Sequence, residues 1–355
     1  MKRFPGMTKQ RIFSLFFLLI LLYIAFFTGE NRQQPDKRTT TRLLMGTLVS
    51  ITTWGVEESR EREGVKAAFA EMARIEGIMS RHQPQTAVAR FNAGLPHQPQ
   101  PIPVELAQLI EKAQHIQTIS DGSFNPGLGK IIELWGFSTD TPPQTPPSQN
   151  KIDEWLTHFK SGPGLVLSQI QPSQPTLGLT NSATALDLGG IAKGYAIDRA
   201  IEQLRKAGIE NGLVNAGGDI RGIGHKGDKP WRVGIQHPRE TERVIAVSQW
   251  PNRKNGDMAL VTSGDYERFF MDQGQRYHHI LDPETGYPAK SGLLSVSVQA
   301  DNALLADGLS TAFFVMGEEL TRRRYRESPG VEVLLIRQDE SHWKSEGFQG
   351  EWLGR

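Results

Sequence analysis

The chain has 355 residues, and its 40 Lys and Arg against 39 Asp and Glu give a net charge of +1. A chain of this length can bury one large core or two closely packed ones, and its balanced charge argues against a nucleic-acid binder that depends on bulk electrostatics. It contains no cysteine, so disulfides, thiolate catalysis and zinc-thiolate sites are excluded.

A hydrophobic run lies close to the N-terminus. Basic residues between positions 2 and 11 precede the uncharged segment 12–27, IFSLFFLLILLYIAFF. This segment is longer than most signal-peptide cores and slightly shorter than the roughly 20 residues that span a bilayer. The positive flank predicts that the N-terminus stays in the cytoplasm and that the rest of the chain is exported. We therefore predict one hydrophobic helix in residues 1–29, either an uncleaved membrane anchor or a cleaved signal sequence.

The folded part is predicted to begin after a polar linker. Residues 30–41, ENRQQPDKRTTT, form this linker, so that one domain covers residues 42–355. Leu43 to Trp54 is rich in β-forming residues and is predicted as the first strand. Ser59 to Ser80 and Val104 to Ser120 place apolar residues three and four apart, which is typical of amphipathic helices.

Shorter elements follow in the middle of the chain. Residues 138–149 contain two proline pairs and are predicted as a surface insertion. Lys151 to Phe159 is predicted as a short helix, and Leu165 to Leu179 as a pair of short strands. Ile191 opens another amphipathic helix that ends at Gly208.

Short strands dominate the rest of the chain. The predicted strands are Leu213 to Asn215, Trp231 to Gln236, Val244 to Trp250, Ala259 to Thr262, Arg276 to Leu281, Leu293 to Gln299 and Val331 to Ile336. A helix from Asn302 to Met316 precedes the last of them. Because helices cluster early and strands meander late, the pattern favours an α+β fold over a doubly wound parallel sheet.

The helix that opens at Ile191 begins with residues suited to an anion. Asp187 ends a strand-like run, Gly189 and Gly190 follow, and Lys193 lies in the first helical turn. A glycine turn that leads into a helix leaves free backbone N–H groups and a positive dipole end, which suits a phosphate. The pattern is neither Walker A nor G-x-G-x-x-G. The alternative is a well-capped helix in which Asp187 is a structural acceptor.

Two further clusters combine turn residues with titratable groups. Asp265 lies in the turn Ser263-Gly264-Asp265-Tyr266, a sequence that by itself is typical of a hairpin. His278 and His279 open the run H-H-I-L-D-P-E-T-G, and in a strand they would point to opposite faces. One of them is a candidate general base or metal ligand; the alternative is an exposed or core histidine.

A fourth cluster lies on the helix from Asn302 to Met316. Asp307 and Thr311 are four residues apart and therefore share a helical face. A carboxylate and a hydroxyl on one face, completed by a backbone carbonyl, would make a hard oxygen site that suits Mg²⁺ shared with substrate phosphates. The alternative is an acid in the first part of a helix and an exposed threonine.

Taken in order, these clusters form a longer pattern. The motifs are M-G-T, G-S-F-N-P, D-L-G-G-I-A-K-G-Y-A-I-D, N-A-G-G-D-I, T-S-G-D-Y-E-R-F-F, H-H-I-L-D-P-E-T-G-Y-P-A and A-D-G-L-S-T-A-F-F-V-M-G. Between about Met45 and Gly317 the chain resembles the FAD:protein FMN transferase (ApbE) family. The resemblance implies an α+β fold with a T-fold-like core.

The resemblance also implies a reaction. FAD is split at its pyrophosphate, FMN is joined by a phosphoester to a threonine hydroxyl of a target protein, and AMP leaves. Family members commonly act outside the cytoplasmic membrane, which implies a catalytic domain on the periplasmic side of a bacterial inner membrane. Electron-transfer membrane complexes and exported reductases are the acceptors that the resemblance suggests.

Residue roles carry over only at matching motif positions. The family's Mg²⁺ is held by a main-chain oxygen, an aspartate and a threonine, which here are Gly190, Asp307 and Thr311. The implied flavin contacts are Met45, Ser123, Phe124, Asn125, Asp187, Lys193 and Leu281. His279 matches the family's histidine and is the candidate base for the threonine proton, and Asp265 is a second catalytic candidate.

Two departures and two alternative functions accompany this hypothesis. Many relatives have S-x-Y where this chain has Ser80-Arg81-His82, and Asn125 replaces a common aspartate. A FAD pyrophosphatase that gives FMN and AMP would use the same metal site, with water in place of threonine. A non-catalytic flavin-binding protein is the other alternative, although storage of flavin requires neither a metal nor a base.

Overall fold

The computed structural model describes residues 37–138, 145–168, 173–250 and 257–354. The predicted hydrophobic segment 12–27 and residues 139–144, half of the predicted proline-rich insertion, lie outside these residues. Within the described ranges, none of the helices is both long and apolar enough to cross a bilayer.

Helices and strands alternate in the first half of the described chain, and strands prevail in the second. The helices are α1 (Glu58–Met79), α2 (Ala87–Asn92), α3 (Val104–Ile119), α4 (Gly129–Leu134), α5 (Gln149–Phe159), α6 (Ala192–Lys206) and α7 (Ala303–Arg324), followed by a short 3₁₀ turn (Tyr325–Glu327). The strands are β1 (Lys37–Leu44), β2 (Thr47–Trp54), β3 (Gln100–Pro101), β4 (Leu165–Ser168), β5 (Thr176–Leu179), β6 (Gly212–Ala216), β7 (Asp219–Ile223), β8 (Arg232–Gln236), β9 (Val244–Gln249), β10 (Met258–Gly264), β11 (Phe269–Asp272), β12 (Gln275–His278), β13 (Leu293–Ala300), β14 (Glu332–Arg337), β15 (His342–Lys344) and β16 (Gly350–Trp352).

An eight-stranded antiparallel sheet organises the molecule. Its order is β1-β2-β6-β7-β10-β13-β14-β15, and every residue of β13 is buried. One face packs against α1, α3, α6 and α7 in a core that includes Phe69 and Phe313. The other face is covered by the three-stranded sheet β16-β9-β8, with Trp250 in a second core. The sheet therefore separates two apolar layers, as expected for an α+β fold.

A third, aromatic core lies outside these layers. It joins α4 and α5 to the two-stranded sheet β11-β12. The indole Nε1 of Trp135 donates to the carbonyl of Gly286 at 2.7 Å, and Phe270 stacks on Tyr277 with ring centroids 5.2 Å apart. This core fixes the β11-β12 hairpin and the chain that follows it.

Helix α7 is interrupted by a glycine. Gly317 has φ 73° and ψ −179°, which is not a helical conformation. A Cβ at this position would lie 3.2 Å from the carbonyl oxygen of Ser291, and its positive φ favours glycine. The segment before Gly317 faces the sheet, and the segment after it carries three consecutive arginines, Arg322 to Arg324.

The long amphipathic helices were predicted with small boundary errors, whereas three other predictions need correction. The domain begins earlier than residue 42, because β1 starts at Lys37 within the predicted linker; threonines, which favour strands, form much of it. The predicted strand Leu43 to Trp54 contains a turn at Met45-Gly46 between β1 and β2. The predicted strand Arg276 to Leu281 ends at His278.

Candidate active site

The predicted metal and phosphate residues meet where α6 and α7 pack against the sheet. Asp198 of α6 caps α7: its carboxylate accepts from the amides of Ala303 at 2.8 Å and Leu304 at 3.0 Å. Asn302 adds a side-chain cap by accepting from Leu305 N at 2.9 Å. These bonds satisfy free N–H groups of α7 and hold its N-terminal turns against α6.

Gly194 allows the two helices to touch at the site. A Cβ on this residue would lie 2.3 Å from the carbonyl oxygen of Ala303, which no side chain could tolerate without movement. The Gly194 amide donates to Asp307 Oδ2 at 2.9 Å. The close packing of α6 on α7 thus places a backbone donor on the predicted metal-binding carboxylate.

Asp307 is a buried acid in an electrostatically unusual position. Its relative exposure is 4%. Burial and the neighbouring negative charge of Asp219 raise the pKa of Asp307, although Lys193 and the Gly194 amide oppose the increase. A carboxylate whose ionised form is disfavoured in this way is stabilised by a nearby cation.

Lys193 forms an ion pair with Asp219, which was not among the predicted site residues. Asp219 is 2% exposed, while the lysine side chain is 35% exposed. Burial lowers the pKa of Lys193, but attraction to Asp219 and Asp307 outweighs it and raises the pKa above its ordinary value. Lys193 is therefore a fixed positive charge at the start of α6, and Asp219 is the residue that fixes it.

Gly190, Thr311 and Phe124 lie next to one another. A Cβ on Gly190 would be 3.0 Å from Phe124 Cε2 and 3.3 Å from Thr311 Oγ1. The chain thus brings together a glycine backbone, the Thr311 hydroxyl and, one helical turn away on α7, the Asp307 carboxylate. We call Gly190, Lys193, Asp219, Asp307 and Thr311 the charged wall.

The charged wall fits Mg²⁺ in its chemistry. The candidate donors are a carboxylate, a hydroxyl and a backbone carbonyl, all hard oxygens, and the carboxylate has an unfavourable buried charge. Within the described ranges there is no group of three or more histidine, cysteine or acidic side chains suited to a metal ion. Mg²⁺ commonly takes only one or two carboxylates and completes its coordination with water and substrate phosphates.

Asp187 is held in place by Arg81, the middle residue of the segment Ser80-Arg81-His82. Arg81 Nη1 lies 2.7 Å from Asp187 Oδ2, and Arg81 Nη2 donates to the carbonyl of Gly129 at 3.0 Å. The Gly189 amide donates to the other carboxylate oxygen at 2.8 Å. Asp187 therefore acts as a structural acceptor here; no contact in the described residues tests its predicted role with flavin.

The predicted Ser123-Phe124-Asn125 contacts lie in a turn after α3. Ser120 Oγ accepts from the Phe124 amide at 3.1 Å, and Asn125 Oδ1 accepts from the Gly127 amide at 2.8 Å. Asn125 also borders a cleft of about 270 Å³. The cleft's other walls include Phe159, Lys160, Gly164, Pro283 and Glu284.

Met45 and Leu281 occupy different surroundings. Met45 has φ 54° in the β1–β2 turn and is partly buried against the large core. Leu281 is 4% exposed, belongs to the aromatic core and bridges to Pro288. Leu281 offers little side-chain surface to a ligand, so a flavin contact there would depend on its backbone.

The two adjacent histidines have distinct roles. His278 is buried, packs edge-on against Phe314 and donates from Nε2 to the carbonyl of Ala289 at 3.1 Å. His279 is partly exposed, and its Nδ1 lies 3.3 Å from the carbonyl of Arg268. Because a carbonyl only accepts, Nδ1 carries the proton and Nε2 keeps its lone pair. Partial removal of the ring from water, together with repulsion from His278 and Arg268, lowers the pKa of His279 and favours this neutral form.

Asp265 is engaged in an ion pair. Its two carboxylate oxygens each lie 2.7 Å from a guanidinium nitrogen of Arg239, in the chain between β8 and β9. Arg276 donates to the backbone carbonyl of Asp265 at 3.4 Å. This bidentate geometry gives Asp265 a role in holding the turn after β10, and its predicted catalytic role stays a prediction.

Comparisons with known proteins agree with one another. A family model described as the ApbE family matches residues 45–335. A Rhodobacter capsulatus protein named FAD:protein FMN transferase is 36% identical over 84% of this chain, and the chain spans only 55% of that relative's length. A Treponema pallidum protein of the same name is 33% identical over 86% of each chain.

Solved structures give the same result. The ApbE protein from Thermotoga maritima superposes with a TM-score of 0.79 at 34% identity, covering 88% of this chain and 99% of its own. The flavin transferase ApbE from Vibrio cholerae has a TM-score of 0.75 at 27% identity, covering 88% and 98%.

Proposed function

The chain belongs to the ApbE family, and we propose that it is a transferase that moves FMN from FAD to a target protein. The match over residues 45–335 includes all the predicted site residues, from Met45 to Thr311. The observation that carries the proposal is the charged wall, where Lys193, Asp307 and Thr311 come together from distant parts of the chain. A positive charge held in place by Asp219 and hard oxygen donors suit a pyrophosphate substrate.

The proposed acceptor group is a threonine hydroxyl. Its oxygen attacks the FMN phosphorus of FAD, a phosphoester bond forms, and the bond from that phosphorus to the oxygen of the AMP phosphate breaks. AMP leaves with the electron pair of the broken bond. The flavin is cargo in this reaction and undergoes no redox change. Lys193, held by Asp219, neutralises charge on the phosphates throughout.

Mg²⁺ is the metal we propose for the charged wall. Gly190 through its main-chain oxygen, Asp307 and Thr311 would hold it. When bound, the ion neutralises the pyrophosphate and makes its phosphorus more electrophilic. The raised pKa of Asp307 supports this proposal, because a buried carboxylate without a cation is unfavourable.

His279 is the proposed base. It is neutral, its Nε2 keeps a lone pair, and it is partly exposed, so it can accept a proton from a hydroxyl that arrives from solvent. His278 lacks this access because its ring is buried and its Nε2–H is bonded to Ala289.

The proposal extends to the location of the protein and to its core. We propose that the hydrophobic segment 12–27 anchors the chain in a bacterial inner membrane, or exports it before cleavage, so that the catalytic domain faces the periplasm. The eight-stranded antiparallel sheet with helices packed on one face supports a T-fold-like core. Electron-transfer complexes or exported reductases are the proposed acceptors.

The experiment that tests this function supplies FAD, Mg²⁺ and a flavin-accepting domain, and follows flavin fluorescence on the acceptor after denaturing electrophoresis. We expect a fluorescent acceptor and one AMP per flavin transferred. An acceptor whose threonine is replaced by alanine is the matched control and should stay dark. Free FMN and AMP without labelled acceptor would instead support the pyrophosphatase, and retained FAD without AMP would support a storage protein.

A further inference from the structure

Three hydroxyl groups form a connected chain between β10 and α7. Ser263 Oγ, near the end of β10, lies 2.8 Å from Ser310 Oγ and 3.3 Å from Thr311 Oγ1. Ser310 Oγ in turn donates to the backbone carbonyl of Asp307 at 2.9 Å. Ser310 has no exposed surface, so water does not compete for its hydroxyl.

The carbonyl at the end of this chain fixes the direction of every proton. A hydroxyl has one hydrogen, and a carbonyl oxygen can only accept. The Ser310 hydroxyl therefore donates its hydrogen to the Asp307 carbonyl, and its oxygen accepts the hydrogen of Ser263. Ser263 then has no hydrogen left for Thr311, so Thr311 must donate to Ser263.

The consequence concerns the Thr311 oxygen. Its hydrogen is directed at Ser263, which leaves its lone pairs available to another group. A hydroxyl binds a cation through a lone pair and needs an acceptor for its hydrogen, and partners that orient a metal ligand in this way typically change metal affinity 10–100-fold when removed. We propose that Ser263 and Ser310 are positioning residues that set the hydroxyl of Thr311 for cation binding. This inference rests on the proposed metal site.

The neighbouring residue on β10 offers a matched control. Thr262 Oγ1 lies 2.8 Å from Ser297 Oγ of β13, a hydroxyl pair of the same length. Successive side chains of a strand point to opposite faces, so this pair is separate from the chain that reaches Thr311. Loss of the Thr262 hydroxyl costs a comparable hydrogen bond without affecting the proposed ligand.

The test measures Mn²⁺ binding by electron paramagnetic resonance, with Mn²⁺ in place of Mg²⁺ and no acceptor present. We expect Ser263→Ala to raise the Kd about tenfold. Thr262→Ala should leave the Kd within about twofold, and Ser263→Thr, which keeps the hydroxyl, should restore most of the affinity. Ser310→Ala is the second variant: it frees the Ser263 hydrogen to point at Thr311, and alanine is well tolerated in a helix.

Melting temperatures of the variants, measured without metal, distinguish a loss of Mn²⁺ affinity from a loss of folded protein. An unchanged Kd in both Ser263→Ala and Ser310→Ala, in a protein where Thr311→Ala weakens Mn²⁺ binding, would overturn the inference and leave the metal site intact. If the unmodified protein binds no Mn²⁺, the proposed metal site itself fails.

Discussion

The charged wall and the His279–Asp265 region are built in different ways. In the charged wall, Asp307 and Asp219 are almost fully buried, and the partner atoms come from helices that touch through Gly194. His279 is partly exposed and is fixed by contacts with one backbone carbonyl, that of Arg268. The first region holds a buried carboxylate whose charge is unfavourable, and the second leaves a neutral histidine partly exposed.

This difference suits the two tasks of the proposed reaction. Charge neutralisation of a pyrophosphate needs fixed groups in a low-dielectric environment, where each charge is worth more than in water. A base that receives a proton from another protein must remain accessible to that protein.

Asp307→Asn should have the largest effect. It removes the one carboxylate of the proposed metal set while keeping the side-chain shape, and we expect FMN transfer to fall by about 100-fold or more. Without metal, the melting temperature should stay the same or rise, because a buried carboxylate with a raised pKa disfavours the folded state. Transfer rates and calorimetry measure the two effects. Undiminished transfer would contradict the metal assignment.

His279→Ala should lower transfer by about 100-fold while FAD binding changes little. His278→Gln is the control for adjacent histidine loss, and its effect should appear mainly in stability because His278 is buried. Equal losses in both variants, with unchanged melting temperatures, would remove the distinction between base and core histidine.

The pH dependence of transfer follows from the lowered pKa of His279. An ordinary histidine loses half of its basic form at about pH 6.5, whereas His279 stays neutral to lower pH. We therefore expect the transfer rate to change little between about pH 8 and pH 6. At saturating Mg²⁺, which keeps Asp307 ionised, a fall centred near about pH 6.5 would show that His279 titrates normally.

The same shift has a consequence for stability. The unfolded chain takes up a proton on this residue at a higher pH than the folded chain does, so the contribution of His279 to stability decreases as the pH falls below about 6.5. His279→Ala should make the melting temperature less sensitive to acid over that range. An unchanged pH slope in the variant would contradict a lowered pKa.

Gly194→Ala tests the close packing behind the charged wall. The added Cβ would meet the Ala303 carbonyl at 2.3 Å, and we expect a loss of about 1–3 kcal/mol in the free energy of unfolding. Gly77→Ala is the matched control in α1, because no atom lies within 4 Å of a Cβ there; alanine should stabilise that position by up to about 1 kcal/mol. Chemical denaturation measures both values.

The smallest effect is expected at the Arg239–Asp265 pair. Arg239 is 33% exposed, so solvent weakens the attraction, and a double-mutant cycle of Asp265→Asn and Arg239→Gln should give a coupling energy of about 1 kcal/mol. Transfer should fall by the same modest factor in both single variants. A large loss in Asp265→Asn alone would support a direct catalytic role for this aspartate.

The sequence predicted elements with strong local patterns and missed contacts between distant positions. The apolar periodicity of α1 and α3 and the placement of Asp307 and Thr311 on one helix depend on local patterns, and they were predicted correctly. The pairing of Lys193 with Asp219 depends on how β6 and β7 form a hairpin, and β7 itself was missed because it is short and begins with an aspartate after two glycines.

Side-chain partners were harder to predict than elements. Arg81 drew no prediction because it fills the variable middle position of the S-x-Y motif, although it forms an ion pair with Asp187, 106 residues further along the chain. Asp265 was predicted as a catalytic candidate from the sequence of its turn, but that sequence gave no indication of the ion pair with Arg239. Composition and spacing contain no information on such pairs. They form because the sheet order and the loop between β8 and β9 bring distant residues together.

The break at Gly317 divides α7 into two segments that do not share one continuous helical register. An α-helix turns by about 100° for each residue, so an insertion before Gly317 would rotate Asp307 and Thr311 relative to the segments that follow. The positive φ of Gly317 ends that helical register. A change of length in the arginine-rich segment beyond Gly317 is therefore not transmitted along a continuous helix to Asp307 and Thr311.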